Sequence, residues 1–123
     1  MNIDRLQIVL PWPDSRLMPN RKNGRHWGAT AEAKAQARGD GMKAAMASLR
    51  GNRVGFDRRI PLRVTFVAPN KRKRDLDNLL GAMKHALDGI AMYLGVDDSQ
   101  FRPITLDDGL DKEKKGFVLV ELG

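Results

Sequence analysis

The chain has 123 residues, enough for one hydrophobic core and too few to cover a second, so residues 1–123 are expected to form one domain. Cysteine is absent, which excludes disulfides, thiolate nucleophiles and cysteine-ligated zinc together and suits a reducing cytoplasm. The formal net charge of +7 points to a polyanionic partner, and hydrophobic residues at 41% with aromatics at 6% imply an aliphatic, modest core that a second subunit would help to cover.

The first segment carries Asp4 and lacks a basic stretch followed by a long apolar one. Its apolar runs are strand-sized, so neither export nor membrane insertion is expected. Ile3 to Leu10 alternate loosely and stop at Pro11-Trp12-Pro13, which predicts a strand entering a loop. That loop is long and basic, with Pro19, Asn20, Arg21, Lys22, Asn23, Gly24 and Arg25. Thr30 then caps a predicted helix over residues 31–49, where Gly39 and Gly41 each cost about 1 kcal/mol relative to Ala and mark a candidate bend.

Residues 50–59 are linker-like. Leu62, Val64, Phe66 and Ala68 alternate with Arg63, Thr65 and Val67 in a strand pattern ended by Pro69-Asn70. Leu79, Leu80, Met83, Ala86, Leu87, Ile90 and Ala91 recur at helical spacing, predicting a helix capped by Asp77 or Asn78 and ending near Gly95. Phe101 to Leu106 and Phe117 to Leu122 read as two strands joined by a polar turn over residues 107–116, a hairpin. The expected architecture is α+β: a small mixed sheet of about four strands with two main helices, in the order β-α-β-α-β-β.

Charge is distributed unevenly along this order. From Arg16 to Arg74 there are 16 Lys and Arg against three acids (Glu32, Asp40, Asp57), whereas Asp75 to Asp111 holds eight acids against Lys84 and Arg102. The sign changes between Lys71-Arg72-Lys73-Arg74 and Asp75-Leu76-Asp77. Aspartates separated by one residue share a side of an extended chain but lie roughly 200° apart on a helix, so their joint use requires extended backbone. With Asp97 or Asp98 returning from beyond the helix, an oxygen-only site for Mg²⁺ or Mn²⁺ is conceivable, able to neutralise charge on a phosphoryl oxygen. The same spacing serves equally well as a helix cap that offsets the preceding cations. Four consecutive cations beside acids favour the phosphate reading.

The run Arg72-Lys73-Arg74-Asp75-Leu76-Asp77-Asn78-Leu79, a helix, and then Asp97-Asp98-Ser99-Gln100 resembles the RusA family of Holliday junction resolvases. Pro11-Trp12-Pro13-Asp14-Ser15 and the Gly24-Arg25 loop are similar to that family's layout, so nearly the whole chain is covered. The resemblance implies a RusA-like fold and a Mg²⁺-dependent homodimer, frequent in phages and prophages, that resolves four-way DNA by paired nicks during recombination and repair. It implies metal ligands at Asp75, Asp77 and Asp98, with Asp97 beside them. The DNA-facing residues become Arg21, Lys22, Arg25, Lys71, Arg72, Lys73, Arg74 and Asn78. The family's lysine four residues after the second motif aspartate is replaced by Gly81, and Lys84, one turn on, is the candidate substitute in catalysis. His85 stands where the family has a further aspartate. A branched-DNA-binding protein with weak or lost cleavage is the alternative.

His26 and His85 are the only histidines and are too far apart in sequence to suggest zinc. Asp107-Asp108-Gly109 with Asp111 lacks the ligand spacing of a calcium loop and reads as a solvated turn. Trp12 is a candidate for base stacking or for plugging the core, and Lys34, Arg38 and Lys43 read as a solvated helix face.

Overall fold

A computed structural model describes residues 2–3, 5–19, 27–56 and 58–123. Among these residues β1 (Asn2–Ile3) pairs in parallel with β3 (Arg53–Val54), so the linker-like stretch contains a short strand. A four-stranded mixed sheet has the order β2-β6-β4-β5, formed by β2 (Leu6–Pro11), β4 (Leu62–Ala68), β5 (Ile104–Leu110) and β6 (Phe117–Leu122). The helices are α1 (Trp27–Leu49), α2 (Leu76–Ala82) and α3 (Lys84–Leu94). The α+β expectation and the four-strand sheet hold. None of the described helices is long and apolar enough to cross a membrane.

Side chains alternate across the sheet as the pleat requires. Leu6, Ile8, Leu10, Leu62, Val64, Phe66, Val118, Val120 and Leu122 point to one buried face, where Leu79, Met83, Leu87 and Ile90 join the same core.

The hairpin expected of the last two strands does not form. β6 lies antiparallel between β2 and β4, while β5 runs parallel to β4 on its other side. The reason lies in burial and connectivity. β6 places Val118, Val120 and Leu122 in the core and takes an interior position, whereas β5 carries Asp107, Asp108 and Gly109 and is exposed along its length except at the half-buried Leu106. The α2–α3 crossover between β4 and β5 supplies the long connection that a parallel pair needs. The acidic triplet therefore belongs to a strand, and the turn begins only at Asp111, whose carboxylate accepts from the backbone N–H groups of Glu113, Lys115 and Gly116.

Two helix expectations also change. The single helix after Asp77 is divided at Met83, whose backbone N–H turns back to the Leu80 carbonyl at 2.9 Å while α3 starts at the next residue. Its C-terminus follows expectation: Gly95 takes the left-handed conformation (φ 72°) that closes a helix. Helix α1 starts at Trp27, ahead of Thr30, and continues through Gly39 and Gly41. Gly41 permits a close crossing, since an added β-carbon there would overlap the Ala86 carbonyl. Gly89 does the same against the Arg38 carbonyl, whereas Gly39 faces open space.

Candidate functional site

The basic segment before α2 is a locally bonded turn with one arginine folded in. Asn70 Oδ1 accepts from the Arg72 backbone N–H at 3.0 Å and from Arg74 Nη2 at 2.7 Å; Arg74 Nη1 donates to the carbonyls of Asn70 and Arg72 at 3.1 and 2.9 Å. The guanidinium carbon stands 5.2 Å from the Trp12 ring centre, and Trp12 meets Phe66 edge-on at 6.3 Å. Arg74 is thus a clamp rather than a free DNA contact, and Trp12 is engaged on one face by Arg74. Lys71, Arg72 and Lys73 remain exposed, beside a hollow of about 360 Å³ floored by Trp12 and Phe66.

Asp75 is extended (φ −92°, ψ 127°) and occupies the cap position of α2 without a side-chain capping bond, its carbonyl accepting from the Leu79 N–H at 3.1 Å. Helical geometry begins at Leu76, so Asp77 sits in the first turn. The extended backbone expected through both aspartates therefore holds only at Asp75. Both side chains are exposed, and Leu76 packs on the core between them. Asn78, expected at DNA, directs Nδ2 to Met18 Sδ at 3.6 Å. One turn on, the Pro19 ring fills the space above Gly81 that a side chain would occupy. Chain segment 18–19 is thereby fixed on α2. Arg21, Lys22, Arg25 and His26 lie outside the described residues.

The second aspartate motif forms a short 3₁₀ turn, Asp98–Gln100, in which the two acids have different tasks. Asp97 accepts from the backbone N–H and hydroxyl of Ser99, and its own N–H donates to Gln100 Oε1 at 3.0 Å, a reciprocal capping box. Asp98 shares a hollow of about 190 Å³ with Lys84, Leu80, Leu87, Phe101 and Ile104. It also meets Asp88 of α3. Burial first, and then hydrogen bonding and like charge from Asp98, raise the Asp88 carboxyl above the ordinary aspartate range, with Lys84 and His85 pulling the other way.

Asp88 did not stand out in sequence, although it follows Lys84 by four residues, a same-face spacing on one helix. His85 is shifted down, by burial first and then by Lys34, Arg38 and Lys84, with Asp88 opposing. Arg38 Nη2 lies 3.4 Å from His85 Nδ1; arginine only donates, so this nitrogen is the acceptor.

These donors are carboxylate oxygens, the chemistry that hard divalent cations take. Among the described residues, however, no group of three or more His, Asp and Glu is close enough to hold a metal ion. Asp98 joins Asp88 and Lys84 on α3, while Asp75 and Asp77 stand at the head of α2. From Asp77 to Lys84 is about 10 Å along a helix axis. The chain thus gathers one carboxyl pair beside a lysine and leaves the first motif at a separate position on the same helical unit.

No family model matches the chain. A protein from Xylella fastidiosa (strain Temecula1 / ATCC 700964), described as uncharacterized, is 37% identical over 95 residues, which are 76% of this chain and 61% of that protein. The chain therefore spans less than two thirds of that relative's length. The periplasmic domain of Helicobacter pylori MotB aligns over 100% of this chain and 84% of its own at 14% identity and a TM-score of 0.38, a likeness from which neither fold nor function follows.

Proposed function

We propose that the chain is a RusA-like, Mg²⁺-dependent endonuclease, with Mn²⁺ as an alternative ion, acting as a homodimer on four-way or branched DNA. The observation that supports this most is the return of Asp98 to Lys84 and Asp88, which sets both aspartate motifs on the helical unit that begins at Asp75-Leu76-Asp77. In this reading Asp75, Asp77 and Asp98, which stand apart among the described residues, would have to be drawn together to hold the ion, with Asp88 beside Asp98. The bound ion would supply Lewis-acid neutralisation of charge on the phosphodiester. Lys84 would face the same phosphate group, and Lys71, Arg72 and Lys73 would bind the backbone by charge. Arg74 would hold their turn in shape.

A second reading, a branched-DNA-binding protein without efficient cleavage, is favoured by two observations. No three carboxylates converge among the described residues, and Pro19 fills the space where a side chain at position 81 would stand.

Cleavage of a synthetic four-way junction with Mg²⁺ and with EDTA separates the readings. Metal-dependent paired nicks, lost in Asp77→Asn with binding retained, are the expected result. Tight binding without cutting in either Mg²⁺ or Mn²⁺ selects the second reading, and absence of junction binding overturns both.

A further inference from the structure

We infer that α1 and α3 carry a second phosphate-contact surface, formed by Lys34 and Arg38 of α1 beside Lys84 and His85 of α3 and separate from the Lys71–Lys73 turn. This rests on the DNA-binding reading above and extends it to Lys34 and Arg38, which the sequence gives only as a solvated helix face.

The surface is built by the helix crossing. Gly41 and Gly89 let the two backbones touch, Gly89 directly against the Arg38 carbonyl, which brings the polar side of α1 onto the start of α3. Arg38 then donates to His85 Nδ1 at 3.4 Å, and Lys34 and Lys84 act on the same imidazole. The acid facing this group is Asp88, which is already engaged with Asp98. Three described cations lie within ion-pair distance of acids, Arg16 with Asp14 at 2.7 Å, Arg63 with Asp107 at 2.8 Å and Lys115 with Glu113 at 3.9 Å, and most of the others stand apart along the surface. Lys34 and Arg38 form no ion pair among the described residues and gather against His85, while Lys84 lies beside the Asp88–Asp98 pair. A fold selected for stability alone gains nothing by gathering like charges at a helix crossing; an anion bound across them relieves the repulsion.

The chemistry selects a phosphodiester. Arginine offers a planar set of donors suited to two oxygens of one phosphate, and lysine a compact charge. A neutral His85 accepts from Arg38 and so fixes its guanidinium while leaving further N–H groups for the ligand. The two surfaces lie towards opposite ends of α2, whose seven residues span about 10 Å. A DNA strand laid along α2 would meet cations before and after the aspartates at its head.

The test is the salt dependence of binding to a fluorescent four-way junction in EDTA, read by anisotropy. Each phosphate contact contributes about 0.9 to the slope of log affinity against log salt, so Lys34→Gln with Arg38→Gln should lower the slope by about 2 and weaken binding roughly 10- to 100-fold near 0.1 M salt. Lys34→Arg with Arg38→Lys keeps the charge and should keep the slope. If Arg38→Gln perturbs folding, judged by circular dichroism, Lys34→Gln alone should lower the slope by about 1.

An unchanged slope in a folded double variant overturns the inference. Lys71→Gln/Arg72→Gln/Lys73→Gln serves as the reference: a lower slope there but not in the α1 variant overturns this inference alone. Failure of the unaltered protein to bind DNA overturns the DNA-binding reading together with it.

Discussion

Pro19 lies over Gly81, its Cγ standing where the β-carbon of any larger residue at position 81 would be. The glycine that replaces the expected lysine is therefore a contact that ties the start of the basic loop to α2. Gly81→Ala gains about 1 kcal/mol of helix propensity. Against this, overlap with a stiff ring costs about 1–3 kcal/mol. The expected net effect is a loss of stability in the unaltered background and a gain in a Pro19→Ala background, measured as a double-mutant cycle by urea unfolding. Equal effects in both backgrounds would show that the two residues do not touch in solution.

The three glycines near the α1–α3 crossing should respond in opposite directions. Gly39 faces open space, so Gly39→Ala should stabilise by up to about 1 kcal/mol. Gly41→Ala and Gly89→Ala would each push a methyl into a backbone carbonyl, which cannot move aside as a flexible side chain can, and should destabilise by about 1–3 kcal/mol. Denaturant midpoints at constant slope would measure all three. A stabilising Gly89→Ala would mean that the helices cross elsewhere.

Periodicity made the buried residues legible: Leu62, Val64 and Phe66 and the Leu79–Ala91 stripe lie in the core, apart from the half-buried Leu80 packed against it, and the strand read over residues 117–122 buries Val118, Val120 and Leu122. Strand partnership was not legible, because the sequence of β6 does not state that β4 separates it from β5; that follows from which strand is apolar enough for the interior. The aspartate motifs were found by type and spacing, but their local geometry was not. Asp75 and Asp77 differ in backbone because the helix starts between them, and Asp97 is consumed by capping while Asp98 is presented. Arg74 looked like its three neighbours. Only the placement of Asn70 and Trp12 shows that it turns inward. Lys34 and Arg38 carried no signal, since their significance depends on α3 crossing beside them.

The division of labour between adjacent aspartates gives a paired test. Asp97→Ala removes the acceptor for the Ser99 N–H and should cost about 1 kcal/mol of stability. If the protein cuts four-way DNA as proposed, the effect of Asp97→Ala on that cutting should follow only from that loss. Asp98→Asn leaves the capping box intact and should leave stability nearly unchanged while abolishing cutting. Thermal unfolding and junction cleavage on the same preparations measure both. The reverse pattern would move the proposed metal-facing role to Asp97.

Asp111 sets a pH dependence in the β5–β6 turn that is independent of the proposed site. Backbone N–H groups of Glu113 and Gly116, and then of Lys115, hold its carboxyl below the ordinary aspartate range. A carboxyl whose folded value is depressed binds its proton more readily in the unfolded chain. Its contribution is therefore full above the unfolded aspartate value of about 3.9 and is lost as pH falls through the lower folded value. Replacing Asp111 by Ala should lower the melting temperature by a nearly constant amount between pH 5 and pH 7. The difference from the unaltered protein should shrink as acid is added below about pH 4. Melting curves of both proteins across this range provide the measurement. A difference that grows on acidification would show that the turn is held by the protonated carboxyl instead.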